Sequence, residues 1–499
     1  MGPGGYVSDI GYSAGFYPEI SPAHLAFAQW CAGREAPPRL RRMLELGCGQ
    51  GFGLALLAAA NPDASFEGCD FNADHVAHAR WLADAAGLAN LRVLQADFRA
   101  LAAQAGARDL DVVAAHGVLS WIDPGARQAV MDIAGLRLRD GGTAMFSYNC
   151  LPGWAPLLPL RQLMDATRRA SSAGSLEALA QAMALLRVLR GGGAAIFENN
   201  SALCALADAL PTLDPAYVAH EYFCGDARPL AFAEVAELAE SKGLSYAASA
   251  TLSENFARLG PAEGAMRALF PRGDVGLYET LRDLMSNKSF RRDIFVRAPS
   301  IDLAAAIAPD FILSVPARLV TAEFPGSGGS SRPLLAPILT RLAEGGASGR
   351  ELAELAACRG AGPEILREAL ANLVEAGQVS PLFWPPAADF EPARRFNRVV
   401  VDCARKGLVF GHLASPVTRT GFRIDDFGLM ALAALADGDA GDARRAARCG
   451  LAMVAGLGRR PAENGAPIED DAKAEAFLAE RLAPYIEDWF AVWRQLGAI

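Results

Sequence analysis

The sequence lacks the long hydrophobic segments of membrane and secreted proteins. Its 499 residues contain no uninterrupted apolar stretch near the roughly 18 residues that a membrane-spanning helix needs. Apolar segments such as residues 429–435 are short, and this one is soon followed by Asp437. The amino terminus shows neither a basic flank nor an apolar run, so no secretory signal is predicted. We therefore expect a cytoplasmic protein without a membrane partner.

Cysteine and histidine are too few and too scattered for a metal site or a disulfide framework. The nine cysteines form no CxxC pair, and the six histidines show no HxxxH or HExxH spacing. We expect no bound metal. Reduced, buried thiols are typical of a cytosolic enzyme.

Basic residues are also in the minority. The chain has 47 Lys and Arg against 56 Asp and Glu, which gives a net charge of −9. A nucleic-acid-binding protein usually carries a basic stripe, and no run rich in Lys or Arg occurs here. No nucleic-acid partner is expected, whereas the negative charge is compatible with a basic acceptor.

What the sequence does contain is enough apolar material for several packed cores. Hydrophobic residues make up 52% and charged residues 21% of the chain. A chain of this length and composition is expected to fold into about two to four domains.

The first 150 residues alternate short apolar strands with helices. Such alternation indicates a mostly parallel sheet that helices cover on both faces. Ligands of these sheets bind at the carboxyl ends of the strands. The predicted strands are 42–46, 64–69, 91–95, 110–115 and 143–147, and the predicted helices are 52–60, 74–86 and 123–138.

A glycine-rich loop, residues 45–51, follows the first predicted strand. A dinucleotide-binding loop needs G-x-G-x-x-G, but Phe52 stands three residues after Gly49 and Leu54 three after Gly51. A phosphate-binding Walker loop needs a lysine, and none is near. The remaining pattern, E-x-G-x-G-x-G, resembles motif I of class I S-adenosylmethionine-dependent methyltransferases.

This resemblance implies roles for three acidic residues. Glu45 would meet the ammonium group of S-adenosylmethionine while the glycines admit its methionyl part. Asp70 ends the second strand, where a carboxylate can accept from both ribose hydroxyls. Asp97 ends the third strand, where it can accept from the adenine amino group while Phe98 packs on the ring. The predicted cofactor-binding residues are Glu45, Gly47, Cys48, Gly49, Gly51, Asp70, Phe71, Asp97, Phe98, His116 and Gly117.

Blocks beyond the sheet narrow the resemblance. Residues 148–154, 217–223, 278–285 and 290–297 are similar to those of bacterial methyltransferases that carry a methyltransferase regulatory domain. Some members of that group are protein-lysine methyltransferases. The resemblance covers roughly residues 5–300. It does not identify the acceptor.

The candidate catalytic residues come from four parts of the chain. An amino-terminal lid is common in the resembling family, and its tyrosines can reach the cofactor cleft. For His116, the alternative is a structural cap on its strand. Asn149 can instead anchor a loop, and residues 220–222 can form a packing cluster. The predicted catalytic residues are Tyr12, Tyr17, His116, Tyr148, Asn149, His220 and Glu221.

The predicted fold class is α/β, a Rossmann-like methyltransferase sheet with a helical insertion and a mainly α carboxyl-terminal region. Residues 1–155 form the core, with a lid at 1–35, and residues 241–300 return to complete the sheet. We expect the remaining segments to be a helical insertion at 156–240, a linker at 301–333, a winged-helix-like module at 334–395 and a helical domain at 396–499.

The predicted function is methyl transfer from S-adenosylmethionine to protein lysine side chains, leaving S-adenosylhomocysteine. A lysine amine must first lose a proton, since its free pKa is about 10.4. Burial among tyrosines would lower that pKa. The alternatives are methylation of a small molecule and a cofactor-binding interaction protein without turnover. A protein substrate is expected, and the oligomeric state is left open, with a homodimer as one option.

Overall fold

The computed structural model describes residues 14–34, 39–104, 106–223, 225, 227–270, 274–298, 308–321, 331–438 and 441–499. Tyr12, one of the predicted catalytic residues, lies outside these ranges. None of the helices described is both long enough and apolar enough to cross a membrane. Within the same ranges, no group of three or more His, Cys, Asp or Glu side chains is arranged to hold a metal ion.

A seven-stranded sheet forms the centre of the molecule, in the order β3-β2-β1-β4-β5-β7-β6. The first five strands are parallel, whereas β7 is antiparallel to both β5 and β6. The predicted α/β fold is confirmed. The strands are β1 (Arg42–Leu46), β2 (Ser65–Asp70), β3 (Leu91–Gln95), β4 (Leu110–Ala115), β5 (Leu138–Asn149), β6 (Leu244–Ser249) and β7 (Phe290–Arg297).

Helices cover both faces of this sheet, and polar caps mark where they begin. The Asn72 side chain accepts hydrogen bonds at the start of α3, Asp97 at the start of α4 and Asp123 at the start of α5. All three caps follow carboxyl ends of strands, so they gather polar groups at that edge. The helices are α1 (Pro22–Cys31), α2 (Phe52–Ala60), α3 (Ala73–Ala85), α4 (Phe98–Ala102) and α5 (Pro124–Arg137).

The segment between β5 and β6 is helical, as the sequence predicts. It packs around a core of its own that includes Leu160, Met164, Leu186 and Tyr222. Its last helix instead joins the core of the main sheet. These helices are α6 (Leu158–Ala170), α7 (Ser175–Gly191), α8 (Ser201–Ala209), α9 (Pro215–Phe223) and α10 (Phe232–Glu240), and two more, α11 (Pro261–Leu269) and α12 (Val275–Ser286), precede β7.

A small three-stranded sheet with three helices follows. A capping box begins one of the helices, because Ser348 and Glu351 exchange side-chain and backbone hydrogen bonds. Residues 301–333, expected as a linker, contain the strand β8, whose Phe311 is buried in the core. The elements are β8 (Asp310–Leu313), α13 (Arg332–Ala343), β9 (Ala347–Ser348), α14 (Gly349–Ala353), α15 (Gly362–Glu375) and β10 (Val379–Leu382).

The last hundred residues are mainly helical but include two short antiparallel hairpins that the sequence did not predict. The strands of both are too short to show a period, and the turn of the first contains Arg419 with a φ of 56°. A π-helical turn over Tyr485–Trp489 follows Pro484. The elements are α16 (Glu391–Arg405), β11 (His412–Ser415), β12 (Thr420–Arg423), α17 (Asp426–Ala436), α18 (Ala443–Gly456), β13 (Ala462–Glu463), β14 (Ala466–Pro467), α19 (Asp471–Pro484) and α20 (Phe490–Gln495).

Candidate active site

A cavity of about 420 Å³ opens at the carboxyl ends of β1 to β5. Its walls also include residues 14–20 of the amino-terminal segment and part of α9. All of the predicted cofactor-binding residues line it, and so do five of the predicted catalytic residues, Tyr17, His116, Asn149, His220 and Glu221.

The glycine loop after β1 forms one wall of the cavity. A Cβ added to Gly49 would meet no atom within 4 Å, so the backbone there faces open space. A Cβ on Gly51 would lie 2.3 Å from the Cβ of Ala79 on α3. Gly51 also has a φ of +75°, which favours glycine. One glycine therefore exposes backbone to a ligand, and the other allows α3 to pack closely.

Asp70 holds this loop in place at the end of β2. One carboxylate oxygen accepts a hydrogen bond from the backbone N–H of Gly49, and the other accepts one from Asn72, both at 2.9 Å. Each carboxylate oxygen has a second lone pair, which stays available to a ligand. Asp70 is 6% exposed, so this orientation is fixed by its surroundings.

Glu45 brings a carboxyl group into the cavity, and one of its oxygens has no partner among the described residues. Its Oε2 is buried and accepts no hydrogen bond from the described part of the chain. Burial, and secondly the Asp70 carboxylate, raises the pKa of Glu45 to about 8. A buried acceptor left unsatisfied costs about 1–3 kcal/mol. A cationic or hydrogen-bonding ligand group would relieve that cost.

Asp97 and Phe98 line the cavity beyond β3. The Asp97 side chain accepts from the backbone N–H of Arg99 at 2.8 Å, which caps α4. Arg99 also pairs with Asp123 across the cavity mouth. These contacts leave an apolar ring beside a partly exposed carboxylate.

His75 is a lining residue that the sequence did not predict. It lies on α3, is 6% exposed, and its Nδ1 stands 3.6 Å from Asp70 Oδ1. That nitrogen has no hydrogen-bond partner among the residues described. The available signal was its position, five residues after Asp70 and one turn into the helix that Asn72 caps.

His116 and Tyr17 lie face to face on the opposite side. Their rings stack with centroids 4.2 Å apart and an angle of 19°. Burial lowers the pKa of His116 to about 4, so the imidazole is neutral at pH 7. Its buried Nε2 has no hydrogen-bond partner within the described ranges. Two further lining residues that the sequence did not predict, Phe290 and Arg292, stand beside this pair.

The helical insertion contributes a second carboxyl group. Glu221 on α9 lines the cavity next to Tyr217 and His220. The Asn149 side-chain amide, at the end of β5, donates to Glu221 Oε1 at 3.2 Å. Burial raises the pKa of Glu221 to about 7, although the hydrogen bond from Asn149 opposes the rise. Glu221 can therefore gain or lose a proton near neutral pH.

Tyr148 is placed away from the cavity. It is fully buried, and its hydroxyl donates to Asp293 Oδ2 at 2.5 Å. Asp293 is in turn paired with Arg291, which also binds two acidic residues of α12. Side chains alternate along a strand, so Tyr148 points away from the face that Asn149 serves. Tyr148 therefore has no part in the chemistry proposed below.

Known proteins resemble this chain over the segment of the glycine loop and over the segment that carries Glu221. The model of the family "Methyltransferase domain" matches residues 44–144, and that of "Predicted methyltransferase regulatory domain" matches residues 214–297. "Uncharacterized protein sll1526" of Synechocystis is 31% identical over 439 residues, which are 84% of this chain and 85% of that protein. "Uncharacterized protein RP789" of Rickettsia prowazekii is 25% identical over 57% of this chain and 51% of its own length.

One solved structure shares nearly the whole fold. PKMT2 from Rickettsia typhi, in complex with AdoHcy, superposes with a TM-score of 0.70. The alignment covers 96% of this chain and 99% of that chain, at 18% sequence identity. This likeness supports the fold described above.

The residues of the cavity fit S-adenosylmethionine. The Glu45 carboxyl, whose Oε2 has no partner in the part of the chain described, suits an ammonium group. The space in front of Gly49 admits a ligand close to the backbone. Asp70 presents free lone pairs for ribose hydroxyls, and Phe98 offers an apolar surface for a base. These acceptor groups suit a nucleoside and an amino acid. Of the arginines that line the cavity, Arg99 is paired with Asp123 and Arg292 with Glu19.

Proposed function

We propose that this chain, which belongs to the class I S-adenosylmethionine-dependent methyltransferases that carry a methyltransferase regulatory domain, methylates the side-chain amine of lysine in a protein. The observation that carries the proposal is the Glu221 carboxyl group. It is partly buried at the cavity wall and hydrogen-bonded to Asn149, and its pKa of about 7 suits an exchange of protons. Such a group suits an amine acceptor, since the amine arrives protonated.

The surroundings of Glu221 also favour an amine. Tyr17, Tyr217 and His116 line the same region, so aromatic faces stand beside the carboxyl group. Aromatic faces and a carboxylate attract an alkylammonium, and burial lowers its pKa. The net charge of −9 is compatible with a basic protein acceptor. PKMT2 from Rickettsia typhi, which shares this fold, was solved in complex with AdoHcy, and this supports a site for the same cofactor.

In this proposal the chain's own residues prepare the acceptor. When bound, S-adenosylmethionine supplies a methyl group on a cationic sulfonium. Tyr17 and His116 exclude water from the cavity and align the incoming amine. Glu221 takes the proton from the ammonium group and passes it to solvent, while Asn149 holds the carboxyl in position. The neutral amine then has its lone pair available.

The test is incubation of the full chain with methyl-labelled donor and a cell lysate. We expect labelled protein bands that yield methyllysine after acid hydrolysis. A label found in a small-molecule fraction would indicate that the acceptor is a metabolite and not a protein. Tight donor binding without any incorporation would instead support an interaction protein that no longer catalyses. The chain should be labelled in parallel without lysate, so that automethylation is not counted.

Binding of the cofactor should release a proton from Glu45. Its pKa of about 8 keeps the carboxyl protonated at pH 7. A bound ammonium group favours the carboxylate, so the pKa falls and the proton leaves. Affinity for S-adenosylhomocysteine should therefore rise between about pH 6 and 7.5, by up to about tenfold per pH unit.

Titration calorimetry in two buffers of different ionisation enthalpy measures this release directly. Glu45→Gln should bind more weakly and show a flatter pH dependence than the parent chain. A parent chain that exchanges no protons on binding at pH 7 would contradict the assignment of Glu45 to the ammonium group.

The compartment and the assembly are parts of the same proposal. We infer a cytoplasmic enzyme from the composition of the chain, and keep a homodimer as one possible assembly.

A further inference from the structure

The carboxyl-terminal region reaches the back of the glycine loop through Phe410. This residue lies between α16 and β11 and is 6% exposed. Its ring stacks on that of Phe52, with centroids 4.4 Å apart and an angle of 9°. Phe52 is the first residue of α2 and directly follows Gly51, so the stack supports the end of the loop.

A second contact of Phe410 supports the middle of the loop. Its ring centroid lies 6.4 Å from that of His78 on α3, within the range of aromatic pairs. Nδ1 of His78 lies 2.9 Å from the backbone oxygen of Gln50, a residue of the loop. Phe410 therefore backs the glycine loop from two directions.

The hairpin of β11 and β12, which follows Phe410, supports the other wall of the cavity. The His412 ring meets Phe16 edge-on, with centroids 5.3 Å apart. A Cβ added to Gly421 would lie 2.7 Å from the Phe16 ring and 2.9 Å from Leu56 of α2. Phe16 precedes Tyr17, whose ring stacks on His116 inside the cavity.

Buried polar contacts fix the position of the hairpin on the sheet domain. The Asn61 side-chain amide donates to the backbone oxygen of Arg419 at 3.0 Å. The Arg419 guanidinium, itself 5% exposed, pairs with Asp63 at 2.7 Å. On the preceding helix α16, the Arg395 side chain donates to the backbone oxygen of Ala86 at 3.1 Å. These anchors hold Phe410 against the loop.

We propose that Phe410 is a positioning residue for S-adenosylmethionine, and that the segment of residues 406–423 is a buttress of the glycine loop. Docking of this buttress and binding of the cofactor then favour each other, because each requires the same loop conformation. The inference rests on cofactor binding in the cavity and is independent of which acceptor is methylated.

The test compares three variants of the full chain by titration with S-adenosylhomocysteine. Phe410→Ala should raise the Kd about tenfold, which corresponds to about 1.4 kcal/mol. Phe410→Tyr, which keeps the ring, should bind within about twofold of the parent. The control Phe477→Ala removes a ring of another aromatic pair in the same region, with Phe427, and should leave the Kd unchanged.

Kinetics and hydrogen exchange separate positioning from general destabilisation. We expect Phe410→Ala to raise KM for the donor while kcat at saturation stays within about twofold, and the amides of residues 49–53 to exchange faster. A folded Phe410→Ala variant with parental Kd would overturn the proposal. If that variant does not fold, His78→Ala tests the second contact by the same criteria. Normal binding without methyllysine formation would contradict the acceptor assignment alone.

Discussion

Asp70→Ala should abolish measurable binding of S-adenosylmethionine and S-adenosylhomocysteine. The carboxylate accepts hydrogen bonds from the backbone of Gly49 and Asn72, and it is the proposed acceptor for the ribose hydroxyls. Hydrogen bonds to a charged group contribute about 1.5–3 kcal/mol each. Loss of two such bonds weakens binding by about 100-fold or more. Titration calorimetry measures the effect directly.

The matched control is Asp74→Ala, on the exposed face of α3. It removes the same charge four residues further along the chain, in the first turn of α3, and should bind the cofactor like the parent. Thermal unfolding of each variant checks that the fold persists. If Asp70→Ala does not fold, Asp70→Asn is measured instead. Its amide nitrogen cannot accept a hydrogen bond, so at least one of the two backbone N–H groups loses its acceptor. Binding of a folded Asp70 variant within threefold of the parent would rule out the assigned site.

Glu221→Gln should lower kcat about 100-fold while the Kd for S-adenosylhomocysteine stays within about twofold. The glutamine keeps an oxygen that can accept from Asn149, but it cannot take a proton from the acceptor amine. A positioned general base contributes about 100-fold to 10,000-fold. Single-turnover assays with labelled donor measure the rate, and calorimetry measures the binding.

The pH profile gives an independent readout of Glu221. The group must be unprotonated to act as a base, so kcat should rise with pH through about 7 in the parent chain. This rise of kcat with pH should be absent in Glu221→Gln. The exposed Glu177→Gln on α7 is the control and should keep the parental profile. An unchanged rate and profile in Glu221→Gln would show that the proton leaves by another route.

The sequence predicted the cofactor side of the cavity because that side is built locally. In parallel sheets the carboxyl ends of the strands share one edge, which places Glu45, Asp70 and Asp97 near one another. The resemblance of the glycine loop to motif I then implied their roles. The spacing of the glycines predicted the loop that completes this side of the cavity. The bounds of β1, β3, β4 and α2 in the structure coincide with the predicted ones.

The acceptor side depends on contacts between distant segments. Glu221 meets Asn149 only because the insertion folds back over the sheet, and no spacing in the sequence encodes that contact. His75 could be assigned to the site only from the orientation of α3 together with the outline of the cavity. Tyr148 and Asn149 looked equivalent as neighbours, but strand alternation separates them, and register is set by pairing with β7.

The buttress was beyond prediction for a similar reason. Phe410 and Phe52 are more than 350 residues apart in the chain, and their stacking follows from how α16 docks on α2. The hairpin strands have four residues each, too few for a periodic signal. Composition could only describe this region as mainly helical.

The antiparallel strand β7 has a consequence for synthesis of the protein. It fills the place between β5 and β6, and its Phe290 pairs with Asn149, about 140 residues earlier. At about 5–20 residues per second, a ribosome needs roughly 7–30 seconds to make that interval. During this time β5 presents an open edge to other nascent chains, a known route to aggregation. The methyltransferase sheet therefore closes only after the regulatory domain has emerged, and neither half is expected to mature alone.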